Sequence, residues 1–229
     1  MQGKPDTTSQ ATFYDLDLKH GTDKVTTHHY HDMYSRYLST YRPEPVKMLE
    51  IGLGCGMPYG PDASQGLWLD YFPNIELHIL EFDAVCATEY AAAAAAAAHN
   101  KGAKIIVGDQ SNITVLNSLV KDYGGEYDII VDDGGHTMVQ QRTSLRHLWK
   151  AVRPGGVYFL EDLQTSFMGE YGGTAEARAK GETTVGMIHK LVEDLMWPRE
   201  RQVVFEDVES VYHIDCSAEV CAFLKREAK

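Results

Sequence analysis

The sequence predicts an α/β fold: a seven-stranded, mostly parallel sheet with helices on both faces and an antiparallel hairpin at its C-terminal end. Three observations predict it. Strand-like and helix-like runs alternate through five βα units whose strands are almost wholly apolar, as expected of a parallel sheet covered on both sides. The last two runs, "ESVYHIDCS" and "EVCAFLKRE", are separated by a short turn and read as a hairpin. An acidic residue lies at or near the end of each of the five strands, where such sheets bind ligands.

At the front, "HHYHDMYSRYLSTY" (28–41) has helical spacing, carries aromatics on one face and stops before Pro43. Its tyrosines are expected over a bound ligand. His28 and His29 are adjacent and point apart on a helix, so a metal cluster is not expected there. "VKMLEIG" (46–52) is the first strand, and "LWLDYF" (67–72) belongs to a helix. "IELHILEFD" (75–83) is a strand, followed by a helix that runs into eight consecutive alanines at 91–98. That run has no apolar stripe and supports no functional conclusion. "AKIIVGD" (103–109) and "YDIIVDD" (127–133) are strands, with a helix at 113–124 between them. A helix over 138–152 ends before Pro154, and "GVYFLED" (156–162) is the fifth strand. The glycine-rich segment 167–184 reads as an irregular loop, as substrate lids often are, and 185–197 as a helix. Trp68, Trp149 and Trp197 are expected in the core. Residues 1–20 are expected to be flexible and 21–229 to form one domain.

Composition narrows the function. The chain has 229 residues, 44% of them hydrophobic, and a formal net charge of -12 without a basic stripe. An acidic surface repels phosphate backbones, so nucleic acid is not an expected partner. No apolar run is long enough to span a bilayer, and none suggests a membrane partner. Cys55, Cys86, Cys216 and Cys221 make neither C-x-x-C nor zinc spacing; they are expected as free thiols in a cytoplasmic protein, although Cys216 and Cys221 could face each other across the hairpin.

Two stretches carry the chemistry. "LEIGLGCG" (49–56) gives E-x-G-x-G-x-G. Gly52 and Gly54 permit a tight turn and close approach of a ligand to the backbone. The third position of the dinucleotide fingerprint falls on Met57, and the acidic Glu50 favours a cationic ligand over a pyrophosphate. A plain βα turn is the alternative. "IIVDDGGH" (129–136) ends a strand with Asp132, Asp133 and His136. The fifth strand ends in Glu161 and Asp162. If the fourth and fifth strands are neighbours, Asp133, Glu161 and Asp162 end side by side and call for a neutralising cation, and an all-oxygen set suits magnesium. His136 lies in the loop past Asp133, and a histidine is the residue type suited to a general base. Asp132 is expected to be structural. The alternatives are a solvated strand end and a surface histidine.

These motifs, with "GTDK" and "HHYHDMY" (21–34), "GDQSN" (108–112) and "LEDL" (160–163), resemble the class I S-adenosylmethionine-dependent methyltransferases. Within that class they resemble the metal-dependent O-methyltransferases of macrolide sugars, of mycinamicin and macrocin type. The resemblance implies a Rossmann-like methyltransferase fold with S-adenosylmethionine and Mg2+ as cofactors. It implies metal ligands at Asp133, Glu161 and Asp162, His136 as base, and a small-molecule hydroxyl as acceptor. Glu50, Gly52, Gly54, Glu81, Asp109 and Gln110 are the expected cofactor residues, with Glu81 on the ribose and Asp109 and Gln110 around the adenine. A nucleotide-dependent oxidoreductase and a non-catalytic cofactor-binding protein are the competing functions. The oligomeric state stays open, a homo-oligomer included.

Overall fold

The computed structural model describes residues 11–96, 103–198 and 207–228. In these the chain builds β1 (Val46–Ile51), β2 (Ile75–Glu81), β3 (Lys104–Val107), β4 (Tyr127–Asp132), β5 (Val152–Leu160), β6 (Val211–Ser217) and β7 (Val220–Lys225). The helices are α1 (Phe13–His20), α2 (His31–Leu38), α3 (Ala63–Tyr71), α4 (Ala84–Ala96), α5 (Ile113–Tyr123), α6 (Met138–Leu148), α7 (Ala175–Ala179) and α8 (Thr184–Met196).

The strands form one sheet in the order β3-β2-β1-β4-β5-β7-β6. Strands β1 to β5 pair in parallel; β7 runs antiparallel to both β5 and β6. The expected sheet and hairpin are therefore present. Period-two alternation divides the core between the two faces. In β1, Val46 and Met48 join Phe13, Tyr34 and Trp68 on the face covered by α1, α2 and α3. Leu49 and Ile51 join Leu116, Leu145 and Leu191 on the face covered by α5, α6 and α8. The chain leaves β1 in one direction to build β2 and β3 and returns to its other side as β4, so the topological switch lies between β1 and β4. Ile51 is in register with Asp132, which is in register with Leu160. The motifs that follow these three strands therefore emerge on one rim.

Several expectations need correction. The segment expected to be flexible up to residue 20 contains α1, which has a Thr12–Asp15 capping box and ends at Gly21 in the left-handed region. Phe13 stacks on Tyr34 with ring centroids 4.8 Å apart, which ties α1 to the core. Residues 1–10 lie outside the described residues. The segment 167–184 is not irregular: it holds a 3-10 turn at Gly169–Tyr171 and then α7, capped by Thr174. The helix expected over 138–152 stops at Leu148, because β5 begins at Val152 and carries Pro154 within it. Trp68 and Trp149 are buried, but Trp197 at the C-cap of α8 is 57% exposed. The cysteines are not free thiols. Cys55 bonds Cys86, joining the glycine loop to α4, and Cys216 bonds Cys221, which face each other in hairpin register. Among the described residues no helix is long and apolar enough to cross a membrane.

Candidate functional site

A cavity of about 220 Å³ opens beyond the carboxyl ends of β1, β2 and β4. Its lining joins the two chemical stretches of the sequence: Gly52 and Gly54 stand on one wall, Asp133, His136 and Asp162 on the other.

The glycine wall is built from backbone. Gly52 has φ +101°, and a Cβ there would sit 2.2 Å from the Asp133 carbonyl oxygen. Gly54 has φ +82°, and a Cβ there would sit 3.1 Å from the Gly60 carbonyl oxygen. Both positions therefore need glycine for conformation and for space. Glu81 closes this wall at the tip of β2. One of its oxygens accepts the Leu53 N–H at 2.8 Å and the other the Asp83 N–H at 2.7 Å, so the carboxylate fastens the glycine loop to β2. It still faces the cavity, where the ribose was expected.

Glu50 and Asp109 are not brought onto the cavity wall. Glu50 is fully buried beneath the glycine loop and accepts from the Trp68 indole at 2.9 Å. Burial pushes its carboxyl up to about 7. Asp109 folds back to accept the Ser111 N–H. Gln110 does line the cavity, but its amide has two partners already: it donates to the Asp132 carboxylate at 2.8 Å and accepts from the Gly135 N–H at 2.8 Å.

The carboxylate wall starts from Asp132, whose side chain turns inward. It is buried and accepts from Tyr158, Ser144 and Gln110, a structural role, although Thr137 is the residue that caps α6. The next residue, Asp133, turns outward to the cavity. Gly134 and Gly135 serve close approach rather than unusual dihedrals: Cβ atoms there would meet the side chains of Gln110 at 2.0 Å and Gln140 at 2.2 Å. The left-handed residue of the turn is His136 itself, at φ 59°. Asp162, with φ 55°, is left-handed too. Such non-glycine conformations cost on the order of 1–3 kcal/mol each and cluster at functional sites.

These conformations bring His136 Nε2 to 3.4 Å from Asp162 Oδ2. Asp133, His136 and Asp162 can each offer one ligand atom, all within 4.8 Å of one another and partly open to the cavity. Two carboxylates and an imidazole at that spacing fit a divalent cation. Glu161, expected as the third carboxylate ligand, stands behind them. It is 1% exposed, with one oxygen taken by Tyr34 and the other by Lys24 at 2.7 Å.

The residues that sequence reasoning missed come from the front of the chain. Lys24 Nζ lies 2.6 Å from Asp133 Oδ2 and bridges it to Glu161. Burial opposes the charge on Lys24, but Asp133 and Glu161 outweigh it and hold the ammonium well above its ordinary range. Tyr30 donates to Asp162 at 3.2 Å, and His28 lies between Glu219 at 2.7 Å and Asp162 at 3.7 Å. Tyr30 and Tyr34 thus serve the site's carboxylates instead of covering the cavity, while Tyr37 donates to Asp215 on the terminal hairpin. The signals that could have found them are the "GTDK" motif for Lys24 and "HHYHDMY" for His28 and Tyr30.

No protein-family model matches the chain. Among curated proteins it is 31% identical over 192 residues to a tetracenomycin-C 3'-O-methyltransferase of Streptomyces olivaceus, covering 79% of this chain and 44% of that protein. It is 32% identical over 193 residues to the demethylmacrocin O-methyltransferase of Streptomyces fradiae, covering 84% of this chain and 45% of that protein. The chain thus spans less than half the length of the curated relatives it matches. Among solved structures it is similar to MycE methyltransferase of the mycinamycin biosynthetic pathway, in complex with Mg, SAH and mycinamycin VI. The TM-score there is 0.79 at 25% identity, over 95% of this chain and 55% of that one. Sheet order, cavity and likeness agree: the chain has the class I S-adenosylmethionine-dependent methyltransferase fold and is related to the sugar O-methyltransferases of natural-product biosynthesis.

Proposed function

We propose that this chain transfers a methyl group from S-adenosylmethionine to a hydroxyl of a small-molecule natural product, on a sugar or a phenol. One observation carries the proposal: the glycine loop and the Asp133–His136–Asp162 cluster line the same cavity. A methyl donor seated on Gly52, Gly54 and Glu81 would present its sulfonium toward the wall that prepares the acceptor. The acceptor oxygen attacks the methyl carbon, the carbon–sulfur bond breaks, and the sulfur keeps the electron pair as S-adenosylhomocysteine. The hydroxyl proton passes to His136, which lines the cavity and whose imidazole is oriented by Asp162.

Asp133 and Asp162 would hold a magnesium ion, with Glu161 behind them holding Lys24 against Asp133. The chemistry a bound ion supplies there is Lewis acidity, which lowers the pKa of the hydroxyl and orients it. Asp133 and Asp162 otherwise fix the place of the acceptor oxygen beside His136. The gain from aligning two reactants in this way can be many powers of ten in effective concentration.

The test incubates the protein with S-adenosylmethionine, magnesium and a panel of natural-product glycosides and phenols, with mass spectrometry as readout. The expected result is a product heavier by one methylene, formed with magnesium and abolished by excess chelator. Full turnover in excess chelator would overturn the role of the metal; no methylated product and no S-adenosylhomocysteine binding by calorimetry would overturn the reaction.

A further inference from the structure

The "GTDK" motif has no part in the proposed chemistry, yet its lysine touches the centre of the carboxylate wall. α1 ends at Gly21, whose φ of +76° turns the chain back. The Thr22 hydroxyl then donates to Asp17 and accepts the Lys24 N–H at 3.2 Å, and the Lys24 carbonyl accepts the Tyr30 N–H at 3.0 Å. Every one of these bonds fixes the backbone from which Lys24 enters the protein. Its side chain is 1% exposed and ends between Asp133 Oδ2 at 2.6 Å and Glu161 Oε2 at 2.7 Å.

An ammonium ion taken out of water loses several kcal/mol of solvation, and a well-packed apolar side chain would serve stability as well or better. The arrangement makes sense as a device for the cavity. Asp133 leaves β4 with one oxygen clamped by Lys24, so its other oxygen has a fixed direction. Glu161 holds the clamp: it accepts from Tyr34 with one oxygen and from the Lys24 ammonium with the other, which keeps that ammonium beside Asp133.

We propose that Lys24 is a positioning residue for the divalent-cation site. It is a built-in cation in the lining of the same cavity as Asp133, His136 and Asp162, and it fixes one oxygen of Asp133. This rests on the metal reading given above. Partners that orient metal ligands from behind typically contribute 10–100-fold to metal affinity.

The experiment measures Mn2+, an EPR-visible hard divalent probe, binding to the full chain and to Lys24→Met and Lys24→Gln. Circular dichroism checks that each variant is folded. The expected result is Mn2+ affinity weakened by about 10–100-fold in both folded variants. Unchanged affinity would overturn the proposal, and tighter binding would overturn it in favour of a lysine that competes with the ion. Tyr34→Phe removes one hydroxyl from Glu161 and keeps the core ring. It carries the test if neither Lys24 variant folds: about 10-fold weaker Mn2+ binding supports the clamp, and unchanged binding overturns it. If the wild-type protein binds no Mn2+, the metal reading itself fails. Wild-type binding with no effect of the variants sinks only the role of Lys24.

Discussion

The two walls of the cavity are made differently. The glycine wall is local: a turn within 52–54, tied by Glu81 through two backbone N–H groups of Leu53 and Asp83. The carboxylate wall is assembled from afar. Lys24 reaches Asp133 across 109 positions of sequence and Glu161 across 137, and Tyr30 reaches Asp162 across 132. A wall made of backbone leaves its mark in local composition, because only glycine tolerates the dihedrals and approaches it needs. A wall made of long side chains leaves no spacing to find, because its partners are set by the sheet order and not by the chain.

That difference explains what was legible. The alternation of apolar strands with helices predicted the sheet, and the acids at strand ends predicted the rim, because both follow from short periodicities. The meeting of Asp133, His136 and Asp162 on one rim followed from their strand ends. Lys24 was not found, since a lysine in a turn looks like any solvated one. The Cys55–Cys86 disulfide was missed for a related reason: the two stand 31 residues apart on different βα units, with no motif linking them, whereas Cys216 and Cys221 were placed face to face across the hairpin but expected as thiols. The wall residues also turned out to be less direct than their motif suggested. Glu50 and Asp109 support the loops that carry the cavity, and only the folded chain shows which acids turn inward.

The largest expected effect strikes the carboxylate wall alone. His136→Asn is the informative substitution, because asparagine tolerates the left-handed conformation at φ 59° better than alanine does and cannot act as the base. It should lower kcat by on the order of 10²–10⁴, the usual contribution of a general base. S-adenosylhomocysteine affinity should persist. Near-normal kcat at neutral pH would reduce His136 to a turn residue.

A smaller effect strikes the other wall. The Cys55–Cys86 bond closes a segment with a sequence separation of 31 and anchors the glycine loop to α4. Replacing both cysteines with alanine should cost roughly 2–4 kcal/mol of stability, the usual range for such a crosslink. Urea unfolding of the two proteins measures it. S-adenosylhomocysteine should also bind more weakly, because Cys55 lines the cavity and its loop is no longer tethered. An unfolding free energy within about 0.5 kcal/mol of the parent would show that the bond does not constrain the chain.

The smallest effect tests whether the glycine wall recognises a ligand or only stands up. Glu81 has two tasks that one substitution can separate. Its oxygens hold the Leu53 and Asp83 N–H groups, and its carboxylate faces the cavity with acceptor capacity to spare. Glu81→Gln keeps the size and one acceptor oxygen, but it removes the charge and turns an amide donor toward one of the backbone N–H groups. If the carboxylate accepts from the ribose hydroxyls, S-adenosylhomocysteine should bind more weakly by about 1–3 kcal/mol, the range for a lost hydrogen bond to a charged group. The unfolding free energy should fall as well, because one of the two backbone N–H groups loses its acceptor. Calorimetry and urea unfolding on the same variant distinguish the two tasks. A drop in stability with unchanged affinity would make Glu81 a staple of the loop alone, and the glycine wall would then hold its ligand through backbone without the carboxylate that sequence reasoning assigned to it.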